Sequence, residues 1–302
     1  MTVIHSLYNE PGTVNIEAEK CILCGKCVNI CPAEIFSAAG DKININPDSG
    51  LGCIACGHCM MVCSSDAVTV TGRGLSPDDL SALPESEQIA TSDQLKSLMQ
   101  SRRSIRKFKD QPIAPETLAK IIDMASTAPM GIPPWGIGCV TVNGKEKVRQ
   151  LADKIVRAYV GLVKVCKPWL LQTMRPFIGK QRYEIFSSFI IPLAKTYIEG
   201  HKQGHDLLFY DAPAVMIFHH SPYTQDVDAM IACTYAMLAA ESLGLGTTLI
   251  GAAAPIIQRN KKLLRELGIP QGNTPAIALI IGYPAVHFEK TIKRKFSSNN
   301  IL

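Results

Sequence analysis

Two runs of cysteines near the start of the chain have the residue type and the spacing for metal chemistry. Residues 21–31 read CILCGKCVNIC and residues 53–63 read CIACGHCMMVC, so each cysteine of the second run lies 32 positions after its counterpart. Such a fixed offset indicates an internal duplication. Thiolates bind both zinc and iron–sulfur clusters, and each run has the C-x2-C-x2-C-x3-C spacing that ligates [4Fe–4S] clusters.

This spacing also predicts which thiolates share a cluster. Three cysteines of a run face one cluster, and the fourth, which follows after a half-turn, faces the neighbouring one. The expected ligand sets are Cys21, Cys24, Cys27 and Cys63 for one cluster, and Cys53, Cys56, Cys59 and Cys31 for the other. The alternative is a pair of structural zinc sites, which usually supply cysteines in C-x2-C pairs separated by a longer gap.

The distribution of cysteine and charge divides the chain into a head and a body. Eight of the 11 cysteines lie in residues 1–63. Residues 1–74 contain four basic and seven acidic residues, a net charge of −3, which leaves +8 for the remainder of a chain whose total is +5. Residues 72–93 are rich in Ser, Pro, Asp and Glu, as linkers are. We therefore predict a head over 1–74, a linker over 75–92 and a body over 93–302.

Composition also limits the classes of partner. A body of +8 is too weakly basic to indicate nucleic acid, but it suits small anionic ligands. The start of the chain has no basic segment followed by an apolar run, so no secretory signal is predicted. The most apolar stretch, residues 236–257, contains Glu241 and several glycines and does not fit a membrane span. We expect a cytoplasmic protein without a membrane or nucleic-acid partner.

A group of arginines follows the first predicted helix of the body. Residues 102–108 read RRSIRKF. Guanidinium groups bind phosphate through paired hydrogen bonds, and a nearby hydroxyl adds another donor. The segment therefore predicts a phosphate site, with a solvated basic patch as the alternative.

The R-x-S-x-R-x-F pattern of this segment resembles the start of the FMN-dependent nitroreductase family. Further segments similar to that family follow in its order: ASTAPMGIPPW (125–135), DAPAVMIF (211–218), AMIACTYAMLAAESLGLGTTLIG (229–251), ELGIPQGNTPAIALIIGYP (266–284) and KRK (293–295). The resemblance covers about residues 93–297. With its head included, the chain resembles the ferredoxin-fused branch of the family.

The resemblance implies the fold class, the cofactor and its contacts. The fold would be α+β, with a two-cluster ferredoxin-like domain followed by a nitroreductase-like domain, and the protein a homodimer with FMN sites built from both chains. The residues carried over to the FMN phosphate are Arg102, Arg103, Ser104, Arg106, Lys293 and Arg294. The isoalloxazine ring would contact Pro129, Met130 and Gly131, and its edge near N5 would contact Ile250 and Gly251. No catalytic acid or base is assigned.

The elements that must position these residues can be read from periodicity. Apolar runs predict strands at 137–142, 214–219 and 276–282. A helix over 228–243 is apolar nearly all round, which predicts burial, and GTTLIGAAA (246–254) predicts a loop whose amides approach the flavin. His219 and His220 are expected in a loop after their strand, with a strand end near the flavin as the alternative. A helical insertion over about 145–208 is expected either to pack on the core or to form a lid that favours an anionic substrate.

These features together predict an enzyme. Electrons would pass from the two [4Fe–4S] clusters to FMN and then to a small organic acceptor, such as a nitro compound, a quinone or an activated alkene. NAD(P)H and an external ferredoxin are the alternative electron sources. Two other readings stay open: different reductive flavin chemistry, such as dehalogenation or flavin fragmentation, and a non-catalytic electron relay.

Overall fold

The fold of the head is built from short elements around the two cysteine runs. The structure is a computed structural model that describes residues 10–46, 52–131 and 135–301. The head contains β1 (Thr13–Ile16), α1 (Lys26–Ile30), β2 (Phe36–Ala39), β3 (Lys42–Ile45), α2 (His58–Met61) and β4 (Val68–Thr71). β1 pairs antiparallel with β4, and β2 pairs antiparallel with β3. Buried residues from both halves, among them Phe36, Met60 and Val68, form one core with the cysteines.

The segment that follows the head has little regular structure. It contains short 3₁₀ turns at Pro77–Asp79 and Ser86–Gln88, and residues 78–92 are exposed. Leu75 differs, because it is buried in the core of the head. The predicted linker therefore begins on a residue that the head uses for packing.

The body contains a central antiparallel sheet with helices on both faces. Its helices and strands, in chain order, are α3 (Ser92–Ser101), α4 (Pro115–Ser126), β5 (Ile137–Asn143), α5 (Lys145–Val165), α6 (Pro168–Ile178), α7 (Lys180–Ile185), α8 (Ile191–Lys202), β6 (Ala214–His220), α9 (Asp226–Ser242), β7 (Gly246–Ile250), α10 (Ala254–Gln258), α11 (Lys261–Glu266) and β8 (Thr274–Gly282). The strand order is β5-β6-β8-β7, with antiparallel neighbours throughout.

Alternation along the strands explains the two layers of helices. Met216 and Phe218 of β6 face a core shared with α4 and α9, whereas Val215 and Ile217 face a core shared with α5 and α8. Successive side chains of a strand point to opposite faces, so a strand buried on both faces reads as a continuous apolar run. This is why the sequence located β5, β6 and β8 to within a few residues.

Helix α9 differs from the prediction of complete burial. Its buried face consists of small residues, including Ala229, Cys233 and Ala236. Val227, Met230 and Tyr235 are apolar but 39–53% exposed. The prediction of burial was wrong for this face of the isolated chain.

Two further expectations are corrected. GTTLIGAAA was predicted as a loop, but Gly246–Ile250 is strand β7, because its amides pair with β8 through partners such as Leu249 and Leu279. His219 and His220 do not lie in the expected loop but at a strand end, which was the alternative. Both are buried and form the last residues of β6, opposite Gly138 and Ile137.

The helical insertion is formed by α5 to α8. Val148, Leu151 and Ile155 of α5 are buried against the sheet, as their spacing predicts. A π-helical turn at Phe186–Ile190 separates α7 from α8, next to Pro192. Trp169 and Phe177 of α6 are 63% and 89% exposed. A lid role for this segment stays a prediction. No helix in the described ranges has both the length and the apolarity to cross a membrane.

Candidate functional site

The head brings the eight cysteines of the two runs into two groups. One cavity is lined by Cys21, Cys24 and Cys27 of the first run together with Cys63 of the second. The other is lined by Cys53, Cys56 and Cys59 of the second run together with Cys31 of the first. Each run thus supplies three thiols to one cavity and its fourth thiol to the other, the exchange that the spacing predicts.

The mutual influence of the thiols agrees with this grouping. Burial, and then the neighbouring Cys53, Cys56 and Cys31, raise the pKa of Cys59 to about 12. Burial also raises the pKa of Cys27, and Cys21 and Cys24 add to that shift. Thiolates held together in this way need a positively charged partner to stay ionised, and bound iron supplies that charge.

The backbone of the two loops is also duplicated. Leu23 and Gly25 in the first run have positive φ angles of 55° and 69°, and Ala55 and Gly57 in the second have 54° and 74°. Gly25 and Gly57 lie immediately before α1 and α2. A chain that turns this tightly can direct three thiols into one cavity.

The donor set fits iron–sulfur clusters better than single ions. Four thiols line each cavity, but among the described residues no three His, Cys, Asp or Glu side chains converge closely enough to hold one metal ion. Zinc needs four sulfurs at about 2.3 Å, whereas a cluster holds its four thiolates further apart. Hydrogen bonds suit bound sulfur as well: the Ala67 amide donates to Cys63 Sγ at 3.2 Å.

A second group of residues, in the body, lies around the guanidinium of Arg102. Arg102 follows α3 directly, and its side chain contacts Met237 Sδ of α9 at 3.7 Å. Burial, followed by Arg294 and then Arg103, lowers the pKa of Arg102, while Glu241 opposes the shift. Arg294, almost 200 residues further along the chain, therefore lies within electrostatic range of Arg102. Like charges brought together form a site for an anion.

The arginine segment is fixed to the strand that carries the predicted flavin-edge residues. Ser104 forms a parallel bridge with Thr247 of β7, where the Ile105 amide donates to the Thr247 carbonyl at 3.0 Å. Ile250 lies three residues further along β7, which corresponds to about 10 Å at the usual rise per residue. A phosphate beside Arg102 and a ring beside Ile250 could thus be joined by a ribityl chain.

The turn after β7 leaves room for a ligand. A Cβ added to Gly251 would have no atom within 4 Å, and this residue is exposed. The Tyr159 hydroxyl of α5 donates to the Ala252 carbonyl at 2.7 Å and fixes the turn from behind. The sequence does not indicate this contact of Tyr159, because the apolar stripe of a helix does not show which turn it packs against.

The residues before Trp135 that were predicted to contact the flavin ring lie away from Arg102 within the single chain. The Gly131 amide donates to Asp228 Oδ1 at 3.1 Å, at the start of α9, whereas Arg102 contacts α9 at Met237. Nine residues of helix separate these two contacts by about 14 Å. Pro129 and Met130 belong to the same segment as Gly131, and residues 132–134 of the GIPPW stretch lie outside the described residues.

The other predicted phosphate contacts are less closely grouped. Arg103 donates to the Arg102 carbonyl at 2.7 Å and lines a cavity with Lys109 and His287. Arg106 lies over the ring of Tyr210, 5.8 Å from its centre. Lys293 is exposed, like the segment around it.

Comparison with known proteins gives two family matches. Residues 99–283 match the model of the nitroreductase family, and residues 13–64 match that of the 4Fe-4S dicluster domain. The FMN reductase [NAD(P)H] of Bacillus subtilis is 30% identical over 63% of this chain and 66% of its own length. The iodotyrosine deiodinase of Haliscomenobacter hydrossis is 28% identical over 66% of this chain and 83% of its own length.

Solved structures show the same fold for the body. A nitroreductase with bound FMN from Desulfitobacterium hafniense has a TM-score of 0.51 and 22% identity, and covers 70% of this chain and all of its own. A nitroreductase with bound FMN from Bacteroides fragilis has a TM-score of 0.50 and 20% identity, and covers 69% of this chain and 98% of its own.

Proposed function

Because the chain belongs to the nitroreductase family and carries a 4Fe-4S dicluster domain, we propose that it couples iron–sulfur electron transfer to flavin chemistry. The family and the α+β fold expected from the sequence are confirmed. In the proposed function, two [4Fe–4S] clusters pass single electrons to FMN, and a small organic acceptor is reduced at the flavin. The observation that carries the proposal is the division of eight cysteines between two four-thiol cavities in a chain whose body contains an arginine cluster fixed to β7.

The cysteines would hold the clusters in the two exchanged sets. Cys21, Cys24, Cys27 and Cys63 form what we call the first cluster site, and Cys31, Cys53, Cys56 and Cys59 form the second. The Ala67 amide, which donates to Cys63 Sγ, would stabilise the added charge of a reduced cluster at the first site.

The arginine cluster would hold the phosphate of FMN. Arg102 and Arg294 would bind the phosphate through their guanidinium groups, since the charge of Arg294 acts on Arg102, and Ser104, which forms a bridge with Thr247 of β7, would add a hydroxyl. The turn at Ile250–Gly251 would lie along the ring edge, held by Tyr159. When bound, FMN would exchange electrons singly with the clusters and in pairs with an acceptor. The chain itself would bind the phosphate, orient the ring and leave one ring face open.

A homodimer would complete this site. The Pro129–Gly131 segment and Arg102 lie near opposite ends of α9, whose apolar face is exposed between them. If two copies of α9 pack antiparallel across a two-fold axis, the Gly131 end of one chain meets the Arg102 end of the other. The partner's segment would then contact the ring that the first chain holds by its phosphate.

We also propose classes of compound for the electron acceptor and for the electron donor. Nitro compounds, quinones and activated alkenes all accept two electrons from a reduced flavin. The relative named iodotyrosine deiodinase favours reductive dehalogenation as the second candidate. NAD(P)H, which the name of the Bacillus subtilis reductase includes, and an external ferredoxin are the proposed electron donors.

An anaerobic count of cofactors tests the proposal. Purified full-length protein should contain about eight irons per chain, from two four-iron clusters, and about one FMN. Cys59→Ser should reduce the iron count by about half. Cys233→Ser is the matched control, because Cys233 is a buried thiol of α9 outside both cavities, and it should leave the iron count unchanged. A wild-type protein that holds zinc, or that retains no flavin after reconstitution, would contradict the proposed function.

A further inference from the structure

The two cluster sites differ in how far they are buried. Cys53 and Cys59 of the second site have 9% and 7% of their surface exposed. In the first site only Cys27 is buried, and Cys24 is exposed. Reduction adds a negative charge to a cluster, and burial makes that charge more costly. Burial alone would therefore place the second cluster at a lower reduction potential than the first.

Arg73 brings a positive charge to the second site. Its Nε donates to the Glu10 carbonyl at 2.7 Å, and one terminal nitrogen donates to the Ile54 carbonyl at 3.4 Å. Ile54 directly follows the ligand Cys53. Among the influences on the Cys53 thiol, burial raises its pKa most, and Arg73 acts in the opposite direction by favouring the thiolate.

The turn that presents Arg73 is unfavourable for an arginine. Gly72, Arg73 and Gly74 have consecutive φ angles of 116°, 52° and 85°. The turn is closed by reciprocal backbone hydrogen bonds between Gly72 and Leu75, at 3.1 and 2.9 Å. Glycine or asparagine would fit the middle position with less strain than a residue with a long side chain. A strained position occupied by arginine suggests that the side chain has a role of its own.

We propose that Arg73 raises the reduction potential of the second cluster and so offsets the effect of its burial. The inference rests on the proposed function, since it requires both clusters to be present. The Arg73 guanidinium beside Cys53 would stabilise the negative charge that one-electron reduction adds to a cluster held at the second site. Arg73 thus acts by placing a positive charge beside the second cluster site. This charge keeps the reduction potential of the buried cluster high enough for it to accept electrons from the more exposed one.

The test is a potentiometric titration of anaerobic full-length protein, followed by electron paramagnetic resonance. Arg73→Asn removes the charge and suits the left-handed turn, so the head should still fold, and Arg73→Gln is a second neutral variant. Both should lower one of the two cluster potentials and leave the other in place. Arg73→Lys keeps the positive charge, so both of its cluster potentials should stay close to the wild-type values.

Lys42→Asn is the matched control. Lys42 is an exposed residue of β3 that lines neither cluster cavity, so its removal should leave both potentials at their wild-type values. If the neutral Arg73 variants keep about eight irons and both potentials stay at their wild-type values, the inference about Arg73 is overturned. Iron counts separate this result from failure of the proposed function, which would appear as missing clusters in the wild type.

Discussion

At the residue scale, the body contains positive charges around Arg102 that repel one another. The charges of Arg294 and Arg103 both act on Arg102, and among the described residues the acidic group that acts on it is Glu241. A phosphate group would offset this repulsion through charge-assisted hydrogen bonds. The sequence predicted both Lys293 and Arg294 at this site, and Arg294 is the one of the two whose charge acts on Arg102.

These neighbours provide a matched pair of variants. Arg294→Ala should weaken FMN binding by about 10- to 100-fold, because a hydrogen bond to a charged group contributes about 1.5–3 kcal/mol. Lys293→Ala, with the same formal charge removed one residue away, should change the dissociation constant by less than about threefold. Fluorescence titration of flavin-depleted protein measures both constants. Equal losses for the two variants would indicate a diffuse basic patch instead of a phosphate site.

His219 gives a prediction about acid stability. Its ring is buried and its Nδ1 lies 3.0 Å from the side-chain amide of Asn273, so Nδ1 accepts and the imidazole is neutral. Burial, and then the neighbouring His220, lower the pKa of His219 below 6.5. Below that pH the unfolded chain binds a proton that the folded chain excludes. The free energy of unfolding should therefore fall as the pH falls, by at most about 1.4 kcal/mol per pH unit for one proton.

The comparison of two histidine variants isolates this effect. His219→Gln should show a shallower loss of stability below pH 6.5 than the wild type in denaturant titrations. His287→Gln, at an exposed position, should follow the wild-type curve. Identical slopes for all three proteins would show that His219 is protonated as easily in the fold as in the unfolded chain.

At the element scale, β5 and β6 are held together by a close approach at a glycine. A Cβ at Gly138 of β5 would overlap the buried ring of His219 on β6, whereas one at Gly161 of α5 would have no atom within 4 Å. Gly138→Ala should lower the free energy of unfolding by about 1–3 kcal/mol, since overpacking displaces buried groups. Gly161→Ala should raise it by about 0.5–1 kcal/mol, because alanine favours a helix interior. Thermal unfolding of both variants checks the prediction, and a stabilised Gly138→Ala would contradict the packing described for this strand pair.

Periodicity in the sequence was sufficient to locate strands that form an apolar run and helices that carry a regular apolar stripe. β5, β6, β8 and α5 were located because their apolar residues recur at strand or helix spacing. β7 was taken for a loop because GTTLI begins with small and polar residues, and its pairing with β8 is a tertiary contact that composition does not reveal. The exposed face of α9 was missed for a similar reason. An apolar residue predicts a buried side chain, but it does not show whether the same chain or a partner chain covers that side chain.

At the scale of the whole molecule, the exposed face of α9 predicts assembly. Met230 is 47% exposed on that face. Met230→Lys should dissociate a dimer that packs through α9 and should also release FMN, because each site would lose its second half. Leu83→Lys is the control, at a linker position that is 90% exposed. Analytical ultracentrifugation and flavin content are measured together, and a dimeric, flavin-loaded Met230→Lys would place the interface elsewhere.

The cofactor sites were predictable from the sequence to different degrees. The cluster ligands follow from spacing alone, because all eight cysteines lie in two short segments with a fixed repeat. The proposed flavin site would draw residues from 102–106, 129–131, 250–251 and 293–294, and only the resemblance to a family connected them. The contacts of Tyr159, Met237 and Thr247 beside this proposed site were missed, since they depend on which elements become neighbours.

The central claim is that electrons from the clusters leave the protein through FMN. It is tested most directly by mixing fully reduced protein with a nitroaromatic acceptor under anaerobic conditions and following cluster and flavin absorbance. In the holoprotein, the clusters and the flavin should re-oxidise together. In flavin-depleted protein, the clusters should stay reduced. Clusters that re-oxidise at the same rate without FMN, or that remain reduced while the flavin turns over, would contradict the account.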